Sequence, residues 1–393
     1  MSPTIITLSE STYLEFPQEL ADHVIQLLQH DLVSLKHCSL VCRSWLYSSR
    51  IHLFRTLSLT PKKLQYLLEV IDTTLFPAIL PYVKRVHVGS DGHTPAPNVL
   101  ALFAKSSPML THLHLHSLFF LNFLDLLDLI CSFPYLQSLA LEQVCWEAGG
   151  SGKNRAEIQS RVLPPFVDHL RLRDTPLREL FTWIVLHPKL PKVSRFDVGP
   201  IEEYDTPYVG KYMFQIGPCF EHMAFSFGFG EKGHICATDF IDKMRAASVR
   251  PHYQRPAKVT MADRFWEVFG IDPCEGMSTF TNLRTLRIEN LVNDTYAHQS
   301  TALFWAPRVI SSVRPSNLAH IVFSIHISPY RRPDKYDVNW EYFDEVFASE
   351  YYTRLRSVHF EIGGRVNVES VASLISSRLP RAASRGILSF QKL

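Results

Sequence analysis

Long uninterrupted apolar runs, an excess of one charge, and glycine are what this chain of 393 residues has least of. Its longest apolar stretch, Leu113 to Leu141, is broken by His114, His116, Asn122, Asp125 and Asp128. A membrane span needs about 20 predominantly apolar residues, so this stretch reads as core strand plus helix. Lysine and arginine total 40 against 38 aspartates and glutamates, a net charge of +2. Without a long-range field, neither nucleic acid nor membrane is expected as a partner. Glycine, at 16, falls short of the roughly 27 that average usage would give, while proline, at 25, exceeds the roughly 20 expected. Proline therefore punctuates many short segments. The cysteines number 7, an odd count scattered from Cys38 to Cys274, which fits reduced thiols in a cytoplasmic or nuclear protein better than a disulfide framework. The first ten residues lack a basic region followed by a long apolar one, so no signal peptide is expected.

Catalytic patterns are also scarce. No nucleophile elbow, zinc-protease helix or paired-carboxylate motif is visible, and no enzymatic activity of the chain's own is expected. Gly228-Phe229-Gly230-Glu231-Lys232-Gly233 matches a dinucleotide fingerprint literally and precedes a plausible helix at Thr238 to Ala246. No acidic residue follows at the required distance, so a turn connecting two units is the favoured reading. Gly149 to Asn154 resembles a phosphate loop but lacks its opening glycine and its magnesium-binding hydroxyl. His112, His114 and His116 alternate along one strand, with successive side chains about 7 Å apart, too far to share one zinc. No cofactor and no metal is expected.

What is present begins at the N-terminus. Pro17 suits the first turn of a helix running to about His30, with Leu20, Val24, Ile25, Leu27 and Leu28 at helical spacing. Asp31 can cap a second helix carrying Leu35, Ser39, Val41, Cys42 and Trp45. Cys38 and Cys42 would then share a face as small apolar packing groups. About forty residues bury too little surface to be stable alone, so part of the apolar face must meet the rest of the chain or a partner.

Phe16-Pro17-Gln18-Glu19, Leu20, Ile25, Leu28, Leu35 and Val41-Cys42-Arg43-Ser44-Trp45 resemble, in order and spacing, the signature of the F-box family. With Ser49-Arg50-Ile51-His52-Leu53-Phe54-Arg55 the segment is similar to F-box proteins of mushroom-type fungi. The resemblance implies docking to the Skp-family adaptor, and through it the cullin scaffold, of a ubiquitin ligase. The docking residues it implies are Phe16, Pro17, Leu20, Ile25, Leu28, Leu35, Val41, Cys42 and Trp45. An N-terminal helical cap with all its apolar groups buried internally is the alternative.

From residue 54 onward short alternating runs recur: Leu57-Ser58-Leu59, Val86-His87-Val88, Leu113-His114-Leu115, Leu139-Ala140-Leu141, Leu170-Arg171-Leu172, Phe196-Asp197-Val198 and Met223-Ala224-Phe225. Leu286-Arg287-Ile288, Ile321-Val322-Phe323, Val358-His359-Phe360 and Leu388-Ser389-Phe390 follow after a gap. Successive starts lie mostly about 26 to 37 residues apart, overlapping and exceeding the leucine-rich-repeat period of about 20 to 29. Amphipathic stretches lie between them: Lys63 to Thr73, Leu121 to Ser132, Pro176 to Leu186, Trp340 to Ser349 and Val368 to Arg378. Proline steps at Pro108, Pro134, Pro188 and Pro315 stop helices before the next strand.

The expected fold class is α/β: residues 1–15 a tail, 16–53 an F-box-like helical segment, and 54–393 an irregular leucine-rich-repeat-like solenoid with a curved, mostly parallel sheet. Residues 257–269 form either one poorly patterned unit or an inserted lid, and the loops 148–154 and 328–334 are surface connections. The residues between the apolar pairs should line one exposed face, on which Arg85, His87, His112, His114, His116, His169, Arg171 and Arg173 cluster. Arginine forks pair well with carboxylate and phosphate, so the cluster could receive an acidic or phosphorylated segment of a protein substrate, with Arg85, His87, His112, His114, His116, Arg171 and Arg173 as the binding residues. The implied function is substrate recognition for a ubiquitin ligase. The alternative is a non-catalytic repeat scaffold that binds the adaptor or another partner without promoting ubiquitination.

Overall fold

The structure, a computed structural model, describes residues 17–60, 62–64, 66, 80–89, 103–147, 155–187, 190–201, 205–227, 280–293, 306, 310, 313, 317–327 and 339–393. Phe16, the motif at 228–233, the helix expected at 238–246, the stretch 257–269, most of 63–73 and the loops 148–154 and 328–334 lie outside the described residues.

Three helices open the chain: α1 (Gln18–Leu27), α2 (Leu32–Cys38) and α3 (Arg43–Leu53). The strands follow: β1 (Thr56–Leu59), β2 (Arg85–Gly89), β3 (His112–His116), β4 (Phe119–Phe120), β5 (Ser138–Glu142), β6 (Cys145–Trp146), β7 (His169–Arg173), β8 (Arg195–Ile201), β9 (His222–Phe227), β10 (Thr285–Asn293), β11 (His320–His326), β12 (Ser357–Gly363) and β13 (Leu388–Lys392). Between them lie α4 (Phe123–Cys131), α5 (Arg155–Ser160), α6 (Leu177–Val185), α7 (Thr206–Ile216), α8 (Trp340–Ala348), α9 (Val368–Arg378) and α10 (Pro380–Ser384).

Eleven strands form one sheet in the order β1, β2, β3, β5, β7, β8, β9, β10, β11, β12, β13, and every pairing is parallel. The chain is thus α/β with a large parallel sheet preceded by helices. All eleven apolar-x-apolar runs found in the sequence are strands of this sheet, in chain order. The short β4 and β6 pair with each other, in parallel, beyond the ends of β3 and β5.

Alternation explains the core. In β3, β5 and β7 the apolar pairs Leu113/Leu115, Leu139/Leu141 and Leu170/Leu172 are buried, while the residues between and beside them are not. Parallel strands must be joined by crossovers, and the crossover helices lay apolar stripes on the buried face: Leu126, Leu127 and Ile130 from α4, Leu180, Phe181 and Ile184 from α6. Where aromatics occupy equivalent strand positions they stack from strand to strand, as Phe323 on Phe360 (5.3 Å) and Phe360 on Phe390 (5.4 Å).

Local devices repeat as well. Asn122, Asn339 and Asn367 each cap a helix by accepting a bond from the backbone N–H three residues on, at Asp125, Tyr342 and Ser370. Each of β3, β5 and β7 is followed by a residue with φ near +50°: Ser117 (52°), Gln143 (55°) and Asp174 (48°). The residue after each, Leu118, Val144 or Thr175, turns back into the core. Pro108 and Pro134 lie in the turns preceding β3 and β5, as expected; Pro188 and Pro315 are outside the described residues. Cys38, Cys42, Cys131, Cys145 and Cys219 are free thiols, and burial pushes the Cys131 thiol up to about 12.

Phe196 of β8 stacks on Phe220 at 5.2 Å and meets Phe181 of α6 and Tyr212 of α7. Its replacement by alanine leaves a cavity between the sheet and two helices. Phe196→Ala should destabilise the protein by about 3–5 kcal/mol, measured as a lowered midpoint of thermal or urea unfolding. A loss below about 1 kcal/mol would mean that the aromatic stack collapses to fill the space.

Candidate functional site

Two regions carry the candidate residues: the N-terminal helices and the sheet face opposite the one on which the described crossover helices pack.

The helices α1–α3 close on a small core of their own, Ile25, Leu35 and Cys38, with Leu28, Trp45 and Leu53 packed against it. Asp22 of α1 accepts hydrogen bonds from Gln18 Nε2 (2.6 Å) and from Ser48 of α3, tying these two helices together. Asp31 caps α2 by accepting from the backbone N–H groups of Val33 and Ser34, both at 3.1 Å. The hydrogen bond from the Ser34 hydroxyl is the chief cause that lowers its pKa. Tyr47 of α3 meets Tyr82 edge-on at 5.7 Å, a contact with the chain that leads into β2.

The expected second helix divides in two. Ser39 Oγ donates to the Lys36 carbonyl at 2.6 Å, and Cys42 is extended at φ −160° as the residue that begins α3. A side chain that competes for a helix carbonyl favours such a break. Cys38 is consequently buried and Cys42 exposed, and they do not share a helical face. A bond from Ser44 is the chief cause that lowers the Cys42 thiol pKa.

The residues expected to dock an adaptor fall into two sets. Pro17, Leu20, Val41 and Cys42 are exposed, whereas Ile25 and Leu35 are 0% exposed and Leu28 and Trp45 half-buried. Ile25 and Leu35 build the helical unit from inside, with Leu28 and Trp45 packed against them. Conversely, Val24, Leu27, Leu32, Val33 and Leu40 are exposed, with Leu27 at 71% and Leu40 at 83%. Their exposure could not be seen in a pattern that only counts apolar spacing.

On the open sheet face, pairing aligns Ser58, His87, His114, Ala140, Arg171, Asp197, Ala224, Arg287, Val322, His359 and Ser389 in one row. This is the row that the alternation predicts. The charges on it are not free. Arg171 Nε lies 2.9 Å from Glu142 and 3.3 Å from Asp197, and Arg173 pairs with both Asp197 and Glu289. Arg287 lies 2.9 Å from Glu289 and donates two bonds to Glu361, at 2.7 and 2.5 Å. His114 Nε2 lies 3.3 Å from Glu142, while its Nδ1 meets His87 Nδ1 at 2.9 Å. Arg171 meets its carboxylates through Nε with its side chain 46% exposed, whereas Arg173 is 15% exposed. Each is held by carboxylates of the same chain, some more than a hundred residues away in sequence.

Electrostatics within this ladder follow from burial. Burial raises the Asp197 carboxyl pKa, outweighing the Arg173 charge beside it. Burial also acts to raise Glu289, but hydrogen bonds and charge from Arg173 and Arg287 outweigh it and hold that carboxyl below its ordinary value. Burial, then His114 and Arg85, lowers His87.

Arg85 is exposed at the start of β2, next to His112 across the pair, and His116 is exposed at the end of β3. His112 Nδ1 meets the Thr111 hydroxyl at 2.8 Å, while the His114 and His116 rings meet edge-on at 6.4 Å. Among the described residues no group of three or more His, Cys, Asp or Glu is placed to hold a metal ion, and no helix is long and apolar enough to cross a membrane. No protein-family model and no curated protein matches the chain.

Glu289→Gln should destabilise the protein at neutral pH by about 2–3 kcal/mol, because Arg173 and Arg287 lose a partly buried partner. A lowered carboxyl pKa contributes stability that is present above the unfolded value and lost as pH falls through the folded one. The gap between wild type and variant should thus close as pH drops below the ordinary carboxylate range. Thermal unfolding across a pH series reads this directly; a gap independent of pH would assign the loss to packing alone.

Proposed function

We propose that the protein is a substrate receptor of a Skp–cullin–F-box type ubiquitin ligase. In this reading α1–α3 are the F-box that docks the Skp-family adaptor, and the strands from β1 onward are an irregular leucine-rich-repeat-like solenoid that holds a target protein. The boundary falls between residues 53 and 54, where α3 ends. The chain contributes proximity and orientation only, since transfer of ubiquitin is performed by other subunits.

One observation carries the reading: Leu20, Val24, Leu27, Leu32, Val33, Leu40 and Val41 are all exposed on one small helical unit whose interior is already filled by other residues. So much apolar surface on about forty residues is what an interaction site looks like. The residues come from the same short segment whose order resembles the F-box signature, which names the partner. The exposed residues Leu20 and Val41, with Pro17 and Cys42, are then the contact set, and Ile25 and Leu35 support them from beneath.

Leu40 and Val41 sit in the break between α2 and α3 and do not belong to the small core, so charged replacements there leave the fold intact. Co-expression with a Skp-family adaptor should give a complex that survives gel filtration. The double variant Leu40→Asp, Val41→Asp should weaken it by about tenfold or more, as the loss of a binding hot spot does, with an unchanged unfolding temperature. Failure of the wild-type chain to retain the adaptor, or equal retention by the variant, would overturn the reading.

A further inference from the structure

One residue before the ion-paired positions on each strand, counted along the same face, runs a second row with a different chemistry. Pairing aligns Arg85, His112, His169, Arg195, His222 and His320 across the sheet, with hydroxyls at Ser138, Thr285 and Ser357 filling the remaining places. No carboxylate stands in this row. Arg85 and Arg195 are exposed and form no ion pair among the described residues.

Three of the four imidazoles meet hydroxyls. His112 Nδ1 meets Thr111 at 2.8 Å, His169 Nδ1 meets Ser138 at 3.2 Å and His320 Nδ1 meets Ser357 at 2.8 Å.

We infer that this row binds an acidic, extended stretch of polypeptide laid across the strands. The row runs over nine strands from β2 to β12, about 38 Å at about 4.8 Å per strand, the length of an extended segment of about 12 residues. Its charge is a single file. The positions about 7 Å and about 14 Å further along the strands hold Arg171, Asp197 and Arg287, then Glu142, Arg173, Glu289 and Glu361, whose four carboxylates and three guanidiniums pair with one another and leave no complement for a polyanion wider than one chain. A nucleic-acid duplex or an anionic bilayer spreads its charge in two dimensions and meets those carboxylates; a single file of aspartate and glutamate does not. The inference names the substrate class for the receptor reading above and rests on it only in taking the occupant to be protein.

The surroundings make the binding pH-dependent. Burial, then Arg85, His169, Arg55 and His87, lowers His112. Burial, then Arg195 and Arg171, lowers His169 against an opposing Asp168. Burial and Arg195, with Arg284 and His320, lower His222 against Glu221. These surroundings favour the neutral rings, and an anion beside them favours the protonated form. Affinity for an acidic segment therefore rises as pH falls.

The test uses the full chain and a fluorescein-labelled oligoglutamate of about 12 residues, read by anisotropy at low salt. The peptide should bind, more tightly at about pH 6 than at about pH 7.5. Arg85→Glu with Arg195→Glu should weaken it by about tenfold or more, whereas Arg378→Glu, exposed on α9, should leave it unchanged. Three results would overturn the inference: no binding, equal weakening by Arg378→Glu, or duplex DNA or anionic vesicles binding this row more tightly than the peptide does. Because the adaptor is absent from this experiment, its outcome is separate from that of the adaptor test. Loss of adaptor binding with peptide binding intact would reject the ligase assignment and keep the acidic-segment site.

Discussion

In-register parallel pairing of the strands is the constraint on which the other features rest. A parallel neighbour can be reached only by a crossover, so each strand returns to the same edge of the sheet with its first residue beside the first residue of the last. Every strand then presents its apolar pair to the helices and its intervening residues to the opposite face. A slip of one residue anywhere would bring leucines to the open face and arginines to the core. The stacking of Phe323, Phe360 and Phe390 and the left-handed residues at Ser117, Gln143 and Asp174 are the same register seen from inside the core and from the strand ends.

The open face inherits two chemistries from that register. One row and its neighbour link arginines to carboxylates from β3 to β12, and the row before them carries arginine and imidazole without an acid. A half-buried ion network adds little net stability, because desolvation offsets most of its attraction. Its larger effect is to fix side chains whose charges balance one another. Near-neutral total charge thus conceals a face on which, among the described residues, an ion-paired part adjoins Arg85 and Arg195, which form no ion pair.

The N-terminal helices show the opposite arrangement. Their few inward residues are fully used, and the apolar surplus points outward. Ile25 and Leu35, which a motif resemblance places among contact residues, serve the interior, while Leu40 owes its exposure to the helix break at Ser39 to Cys42. A consensus order does not separate residues that touch a partner from residues that hold up those that do. Burial does.

Much of the sheet was legible in the chain. Alternation of apolar and polar residues is local, so the run Leu113-His114-Leu115 declares a strand and its two faces without knowledge of any neighbour, and the amphipathic stretch Val368 to Arg378 declares α9. The row from Ser58 to Ser389 follows once the strands are laid side by side. What the sequence could not tell was which charges meet. Arg173 and Glu289 are separated by 116 positions, and their pairing depends on how many units intervene and how each long side chain leans. By itself the sequence determined the strands, their order and the face each residue takes, because those depend on periodicity within a few residues. Only the tertiary structure decided that, among the described residues, Arg171 and Arg173 pair with carboxylates while Arg85 and Arg195 do not, because ion pairing is a property of distance in space between residues far apart in the chain.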